Sequence, residues 1–169
     1  MRPSIGQYLM ELAEVAARRT TCIRRGVGCV LADAKGRVLA VSYNGVAAGL
    51  SHCNELYLTG KSGMAFSEWQ QRPGTLEGVR SYPHACAGHD LPPGQDSCEA
   101  VHAEANALLM CQDPDRIRSA YVTLSPCLPC VKLLLNTGCE AIVYGELHLR
   151  RSAAARELWL KAGRSWKSI

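Results

Sequence analysis

Apolar and polar positions follow a helical period at the start of the chain and a strand-like pattern shortly after it. From Ile5 to about Arg19, apolar residues three or four positions apart share one face of a predicted helix, which Ser4 can cap. Residues 27–32 predict a strand and residues 37–43 a second strand. An Asp-Ala-Lys-Gly turn at 33–36 joins them, so a β-hairpin is expected here.

The second half of the chain alternates between the two patterns. The predicted elements are strands over 120–124 and 141–144 and helices over 101–111, 127–136 and 153–161. Strands that alternate with helices predict an α/β sandwich with a mixed sheet. No shift in composition marks a second domain, so residues 1–169 are expected to form a single domain.

Neither pattern holds in the middle of the chain. Residues 44 to about 100 contain many Gly, Pro and Ser residues, and we treat about 46–100 as a long insertion. Structureless segments of this length are uncommon in compact domains and are usually functional, disordered or cross-linked. The insertion carries six side chains of the metal-ligand type, which suggests that a metal ion holds it: His52, Cys53, His84, Cys86, His89 and Cys98.

Composition narrows the class of protein. Apolar residues make up 47% of the chain and charged residues 20%, which allows a sizeable core and argues against disorder. No apolar run approaches the roughly 20 residues that a membrane-spanning helix needs. Glu11 and Glu14 interrupt the segment that a secretory signal would keep apolar, so we expect a soluble, cytoplasmic protein.

Cysteine content and charge point to metal rather than to disulfides or nucleic acid. The nine cysteines are an odd number, which cannot pair completely within one chain. In a cytosolic protein, Cys and His at short spacings indicate metal binding. The net charge of +4 is mild. Six Lys or Arg and one acid between Arg150 and Lys167 read either as a solvated helix face or as a surface that attracts phosphates.

Two short motifs place potential metal ligands at predicted helix starts. The first is His-Ala-Glu at 102–104, and the second is Pro-Cys-Leu-Pro-Cys at 126–130, directly after a predicted strand. Cysteines three positions apart share a helix face, so both sulfurs can reach one ion. A helix N-terminus also favours thiolate over thiol.

The ligand count favours a catalytic zinc. His102, Cys127 and Cys130 supply three ligands, and three protein ligands plus water are typical of a catalytic rather than a structural zinc site. Glu104 lies two residues from His102 and could sit beside the fourth position. H-x-E followed by P-C-x-x-C is the known arrangement of zinc nucleobase deaminases. A structural zinc, closed by a further Cys or His, is the alternative reading.

The segments around these motifs carry a family resemblance. Residues 101–107 and 121–130 resemble the cytidine deaminase superfamily. Residues 21–28, together with Tyr-Asn-Gly at 43–45 and the segment that follows to residue 53, resemble its deoxycytidylate (dCMP) deaminases. The resemblance implies a three-layer α/β/α sandwich around a mixed sheet of about five strands. It also implies zinc-dependent conversion of dCMP to dUMP with release of ammonia.

The resemblance further implies roles for individual residues. Glu104 would shuttle protons from the attacking water to N3 of the cytosine and then to the leaving amine. Asn44 would hydrogen-bond the sugar, while the amide of Ala103 and the carbonyl of Ser125 would contact the pyrimidine edge. Arg24 is the candidate for a phosphate contact, and its alternative is a solvated surface arginine.

Some family members hold a second zinc, and this chain has residues for one. The resemblance places Cys22, Cys53 and Cys98 at suitable positions, with His89 as the chosen fourth ligand. His84 and Cys86 are close alternatives for that fourth position, and a buried apolar thiol is the alternative for each cysteine. Three further cysteines lie in predicted regular elements and are expected in the core: Cys29, Cys111 and Cys139.

One departure from the family pattern bears on the substrate. His148 stands where the family often has a tyrosine, so a 5-methyl or 5-hydroxymethyl dCMP is an alternative substrate, unless His148 is simply a surface residue. Many family members are oligomers regulated by dCTP and dTTP, and we expect a homo-oligomer here.

Two rival functions differ in class from a nucleotide deaminase. Deaminases of tRNA or single-stranded DNA need basic channels with aromatics, and only 6% of this chain is aromatic, so nucleic acid is ranked low. The second rival is a non-enzymatic zinc module.

Overall fold

The α/β sandwich predicted from the sequence is confirmed by the computed structural model, which describes residues 2–22, 25–50, 52 and 100–169. Within these ranges the α-helices are α1 (Ile5–Ala17), α2 (Ala103–Met110), α3 (Leu128–Leu135) and α4 (Leu149–Lys161), and a short 3-10 helix spans Pro114–Arg116. The strands are β1 (Gly28–Ala32), β2 (Val38–Tyr43), β3 (Gly45–Val46), β4 (Ala100–Val101), β5 (Ser119–Leu124), β6 (Ala141–Glu146) and β7 (Ser165–Ser168). Among the described helices, none is long and apolar enough to cross a membrane.

Helix α1 begins after Ser4, which caps it as the sequence predicts, and Gln7 completes a capping box. The Ser4 side chain accepts the Gln7 amide at 3.2 Å, and the Gln7 side chain accepts the Ser4 amide at 2.8 Å. These reciprocal bonds satisfy two backbone donors that a helix start leaves without partners. The helix ends at Ala17, two residues before the predicted end.

The predicted hairpin is confirmed, and an aspartate organises its turn. Oδ1 of Asp33 accepts the amides of Lys35 and Arg37 at 2.8 and 2.9 Å. Gly36 has φ +73°, a conformation that residues with a side chain rarely adopt. Strands β1 and β2 consequently pair antiparallel, with Gly28 opposite Tyr43.

Five strands form one mixed sheet in the order β2-β1-β5-β6-β7. The pairs β1–β2 and β1–β5 are antiparallel, whereas β5–β6 and β6–β7 are parallel. Helices α3 and α4 make the crossovers that parallel pairs require. A separate two-stranded ribbon pairs β3 with β4.

Helices cover both faces of the sheet, because the central strands are apolar on both sides. Strand β1 is buried along its whole length. Val30 packs with Leu9 and Ala13 under α1, whereas Cys29 and Leu31 face the opposite core, where α2, α3 and α4 lie. This two-residue alternation is the period of a strand, and it produces the three layers.

Two elements differ from the sequence prediction, each for a local reason. Helix α4 begins at Leu149 rather than 153, because His148 caps it by accepting the Arg151 amide at 3.4 Å, and histidine is not among the favoured N-cap residues. Strand β7 was not predicted. Its residues have little strand character of their own, and parallel pairing with β6 orders them, with Trp166 opposite Ile142.

Candidate active site

Each metal-ligand motif lies at the N-terminus of a helix, and the two N-termini are close together. His102 is the N-cap of α2, and Cys127 is the N-cap of α3, which follows β5. Neither side chain caps its own helix, so both are directed elsewhere. Cys130 lies one turn into α3 and is buried. The two helix starts therefore bring the three predicted ligands together.

Distances within this group match a zinc site. Nδ1 of His102 lies 3.3 Å from Sγ of Cys127 and 3.4 Å from Sγ of Cys130. Zinc–sulfur bonds of about 2.3 Å and zinc–nitrogen bonds of about 2.0 Å at a tetrahedral angle put nitrogen and sulfur roughly 3.5 Å apart. All three ligand atoms lie within 4.8 Å of one another, and this is the group of metal-ligand type found within the described residues. The donor set and spacing therefore fit zinc.

The pKa values of the two thiols move in opposite directions. The hydrogen bond from Cys130, assisted by His102, lowers the pKa of Cys127 to about 4. The same hydrogen bond, together with burial, raises the pKa of Cys130. Because zinc binds thiolates, ion binding releases the remaining proton.

Glu104 is a buried carboxyl group beside this ligand set. Its side chain is 4% exposed on the first turn of α2. Burial, the largest cause, raises its pKa to about 6, although the nearby His102 opposes the rise. A carboxyl group with a pKa near neutrality can both accept and donate a proton at working pH.

One cavity of about 310 Å³ is lined by Glu104, by the predicted ligands His102 and Cys127, and by three of the predicted substrate contacts. Asn44, Ala103 and Ser125 all line it together with Glu104 and His102. Ala103 is the first residue of α2, so its amide has no acceptor within the helix. Asn44 is 8% exposed and Ser125 4% exposed, so both are buried residues in the wall of the cavity.

Two arginines that the sequence reasoning did not select also line the cavity. Arg24 lies outside the described residues, so its predicted phosphate contact stays a prediction. Its neighbour Arg25 lines the cavity and forms an ion pair with Glu146 at the end of β6. Arg151, on the first turn of α4, lines it as well. The excess of basic residues between 150 and 167 indicated a possible phosphate-binding surface, but it did not place Arg151 in the cavity.

His148 lines the same cavity and is half-buried, so it is not simply a surface residue. Its amide donates to the Ser125 hydroxyl at 2.7 Å, and its carbonyl accepts the Ser152 hydroxyl at 2.7 Å. These bonds join the loop after β5 to the start of α4. Arg164, another member of the basic segment, turns inward and donates to the carbonyls of Leu134, Leu135 and Cys139.

The predicted second zinc is largely outside the described residues. Cys22 is half-buried and lines the cavity, whereas Cys53, His89 and Cys98 are not described. The predicted second metal site therefore stays a prediction. The three cysteines assigned to the core are described: Cys29 and Cys139 are fully buried, and Cys111 packs half-buried at the core's edge.

Comparison with known proteins agrees with this arrangement. The family model for the cytidine and deoxycytidylate deaminase zinc-binding region matches residues 3–146. The deoxycytidylate deaminase of Mycobacterium phage D29 is 35% identical over 144 residues, which cover 85% of this chain and 95% of that protein. The deoxycytidylate deaminase of Schizosaccharomyces pombe is 34% identical over 146 residues, 85% of this chain but 37% of that protein.

A solved structure shares the fold. The dCMP deaminase of cyanophage S-TIM5, in complex with dCMP and dUMP, superposes with a TM-score of 0.65 over 100% of this chain and 99% of that one, at 20% identity. The match of the family model over most of the chain, the phage relative and the His-Cys-Cys geometry all agree. The chain belongs to the cytidine and deoxycytidylate deaminase family, whose zinc-binding region it contains.

Proposed function

We propose that this protein catalyses the zinc-dependent hydrolytic deamination of dCMP to dUMP, with release of ammonia. One observation carries the proposal: the buried carboxyl group of Glu104 shares a cavity with His102 and Cys127, two members of a three-residue group that fits a catalytic zinc site. Relatives named deoxycytidylate deaminase, among them a phage protein of nearly the same extent, support the choice of substrate.

His102, Cys127 and Cys130 would hold the ion. Zinc held there would lower the pKa of a bound water towards about 7 and so supply hydroxide near neutral pH. Glu104 would accept one proton of the attacking water and pass it to N3 of the cytosine. It would then take the remaining proton from the hydroxyl added at C4 and give it to the amine as the C4–N bond breaks. Its carboxylate is regenerated within each cycle, and its pKa of about 6 suits both directions of transfer.

Other residues of the cavity position the nucleotide in this proposal. The Ala103 amide and the Ser125 carbonyl recognise the pyrimidine edge, and Asn44 contacts the sugar. Arg25 and Arg151 join Arg24 as candidates for the phosphate, because they are the arginines that line the cavity within the described residues. Pairing with Glu146 holds Arg25 at this position.

A cytosine substituted at C5 is the second candidate substrate. The observation that favours it is the position of His148, which lines the cavity beside Ser125. Turnover of dCMP, 5-methyl-dCMP and 5-hydroxymethyl-dCMP under identical conditions separates the two. The family resemblance also implies dCTP and dTTP as effectors of this protein, and the same assays repeated with each nucleotide test that. Sedimentation tests the expected homo-oligomer.

The decisive experiment replaces the proton carrier. Glu104→Gln keeps the size of the side chain but cannot carry a proton, so kcat for dCMP should fall by about 10²- to 10⁴-fold while bound zinc is retained. Glu157→Gln, an exposed carboxyl on α4, is the matched control and should keep wild-type turnover. If Glu104→Gln deaminated dCMP at the wild-type rate, the mechanism would be disproved. Zinc binding by a wild-type protein inert towards every cytosine nucleotide would instead favour a non-enzymatic module.

A further inference from the structure

The side-chain amide of Asn44 is oriented by two backbone groups. Its Oδ1 accepts the Val27 amide at 2.7 Å, and its Nδ2 donates to the Arg25 carbonyl at 2.9 Å. A backbone N–H can only face the oxygen of the amide, and a carbonyl can only face its nitrogen. The two ends of the Asn44 amide therefore cannot exchange.

A third partner occupies the remaining lone pair of that oxygen. The Thr20 hydroxyl lies 2.8 Å from Oδ1 of Asn44 and 2.8 Å from its main-chain carbonyl oxygen, and shares one hydrogen between them. The same hydroxyl accepts the Cys22 amide at 3.1 Å. Thr20 is itself anchored just past α1, where its amide donates to Ala17 at 3.2 Å.

The consequence concerns what Asn44 can offer a ligand. Oδ1 has two lone pairs, and Val27 and Thr20 occupy both. Of the two hydrogens on Nδ2, one goes to Arg25, and within the described residues the other has no protein acceptor. Asn44 lines the cavity beside Glu104, so this side chain presents to a ligand one donor and no acceptor.

We propose that Thr20 is a positioning residue, which makes Asn44 a pure hydrogen-bond donor and so sets the site's preference for a sugar with an acceptor oxygen. In a deoxynucleotide monophosphate the free sugar hydroxyl is the 3′-hydroxyl, so its oxygen is the acceptor in the Asn44–sugar contact of the proposed function. The inference rests on the proposed function, since it concerns the nucleotide in the same cavity.

The test removes the Thr20 hydroxyl at nearly constant volume and compares two substrates. In Thr20→Val the Asn44 amide keeps its two backbone bonds but loses the third partner that holds its plane. Its bond to the sugar should weaken, so KM for dCMP should rise about tenfold with kcat within twofold. With 2′,3′-dideoxycytidine 5′-monophosphate, which lacks the acceptor, Thr20→Val and wild type should differ by less than about twofold. A purely structural role would raise KM equally for both substrates.

Companion variants separate this effect from packing. Thr20→Ser restores the hydroxyl and should restore the wild-type KM, whereas Thr20→Ala should repeat the result of Thr20→Val without its extra methyl group. Thr21→Val is the matched control. The Thr21 hydroxyl is equally buried but has no hydrogen-bond partner within the described residues, so KM should not change.

The outcomes distinguish this proposal from the function on which it rests. A wild-type protein inert on dCMP would overturn both. An active wild type with an unchanged KM in Thr20→Val and Thr20→Ala, or with equal losses on the two substrates, would overturn the role of Thr20 alone. Loss on dCMP only, with rescue by serine, is the result that supports it.

Discussion

Nδ1 of His102 lies 3.3 Å from Sγ of Cys127, although the two residues start different helices and are 25 positions apart. The contact depends on β5 ending beside the start of α2, so that the loop into α3 delivers Cys127 to the imidazole. The sheet therefore brings the ligands together, and neither motif could do so alone. Removal of a ligand should accordingly affect the metal more than the fold of either helix.

Replacement of Cys130 should lower the metal content by one ion per chain. Cys130→Ala removes a buried thiolate ligand, and two remaining protein ligands do not hold zinc tightly. Elemental analysis of purified protein measures the change. Cys111→Ala, a half-buried cysteine outside the ligand set, should retain the metal. An unchanged zinc content in Cys130→Ala would show that the ion is held elsewhere.

The wild-type zinc content tests the proposed second metal as well. Two ions per chain, with one left in Cys130→Ala, would support ligands in the insertion together with Cys22. One ion per chain, with normal folding of Cys53→Ala, would exclude the second site. The measurement needs no assay of activity.

Glu104 should destabilise the metal-free protein at neutral pH. Burial raises its pKa from 4.5 to about 6, so the folded state binds a proton more tightly than the unfolded state does. The stabilisation from that proton is fully present below the unfolded pKa and is lost as pH rises through about 6. The difference between these two pKa values corresponds to roughly 2 kcal/mol.

Replacement of Glu104 by glutamine should therefore raise the stability of the metal-free protein, by an amount that depends on pH. Metal-free Glu104→Gln should be more stable than metal-free wild type by roughly 2 kcal/mol above pH 7, and the difference should shrink towards pH 4. Urea unfolding at several pH values measures it. Glu157→Gln should show no such trend. A constant difference across the pH range would contradict the burial argument.

Gly28 should not tolerate a side chain. A Cβ there would lie 1.8 Å from the carbonyl oxygen of Ala13, a backbone atom of α1 that cannot move aside. We expect Gly28→Ala to lower the free energy of unfolding by about 3 kcal/mol or more, because the helix must shift off the sheet.

Gly6→Ala is the matched control. Gly6 lies on α1 itself, and a Cβ there would meet the Ile169 side chain at an ordinary 3.5 Å. It should leave stability unchanged or raise it by up to about 1 kcal/mol, as alanine usually does in a helix. Urea unfolding compares the two variants. Equal stabilities would show that α1 does not pack as tightly on β1 as the structure indicates.

Asp33 should stabilise the hairpin only while it is ionised. Its pKa is lowered, mainly by the amide of Arg37 and further by the amide of Lys35. Asp33→Ala should therefore lower Tm at neutral pH, and the deficit should disappear as pH falls through the pKa of Asp33 in the folded protein. Thermal scans from pH 2 to 7 measure it. A deficit that grew on acidification would contradict the assignment.

Local sequence was enough for the elements whose signals are local. Ser4 and Gln7 form a capping box that needs only four residues, and the 33–36 turn needs only an aspartate and a glycine. Apolar runs predict the strands of the core, as they do for β1. The H-x-E and P-C-x-x-C motifs likewise identify ligand types by spacing alone.

Tertiary structure decided what distant residues do to one another. Strand β7 exists through its pairing with β6, and Arg25 enters the cavity where Glu146 can pair with it. The donor-only state of Asn44 depends on Thr20, 24 residues away. Sequence by itself determined which residues could bind zinc and carry protons. Only the fold decided which atoms face the cavity, because those contacts are set by strand order and helix packing.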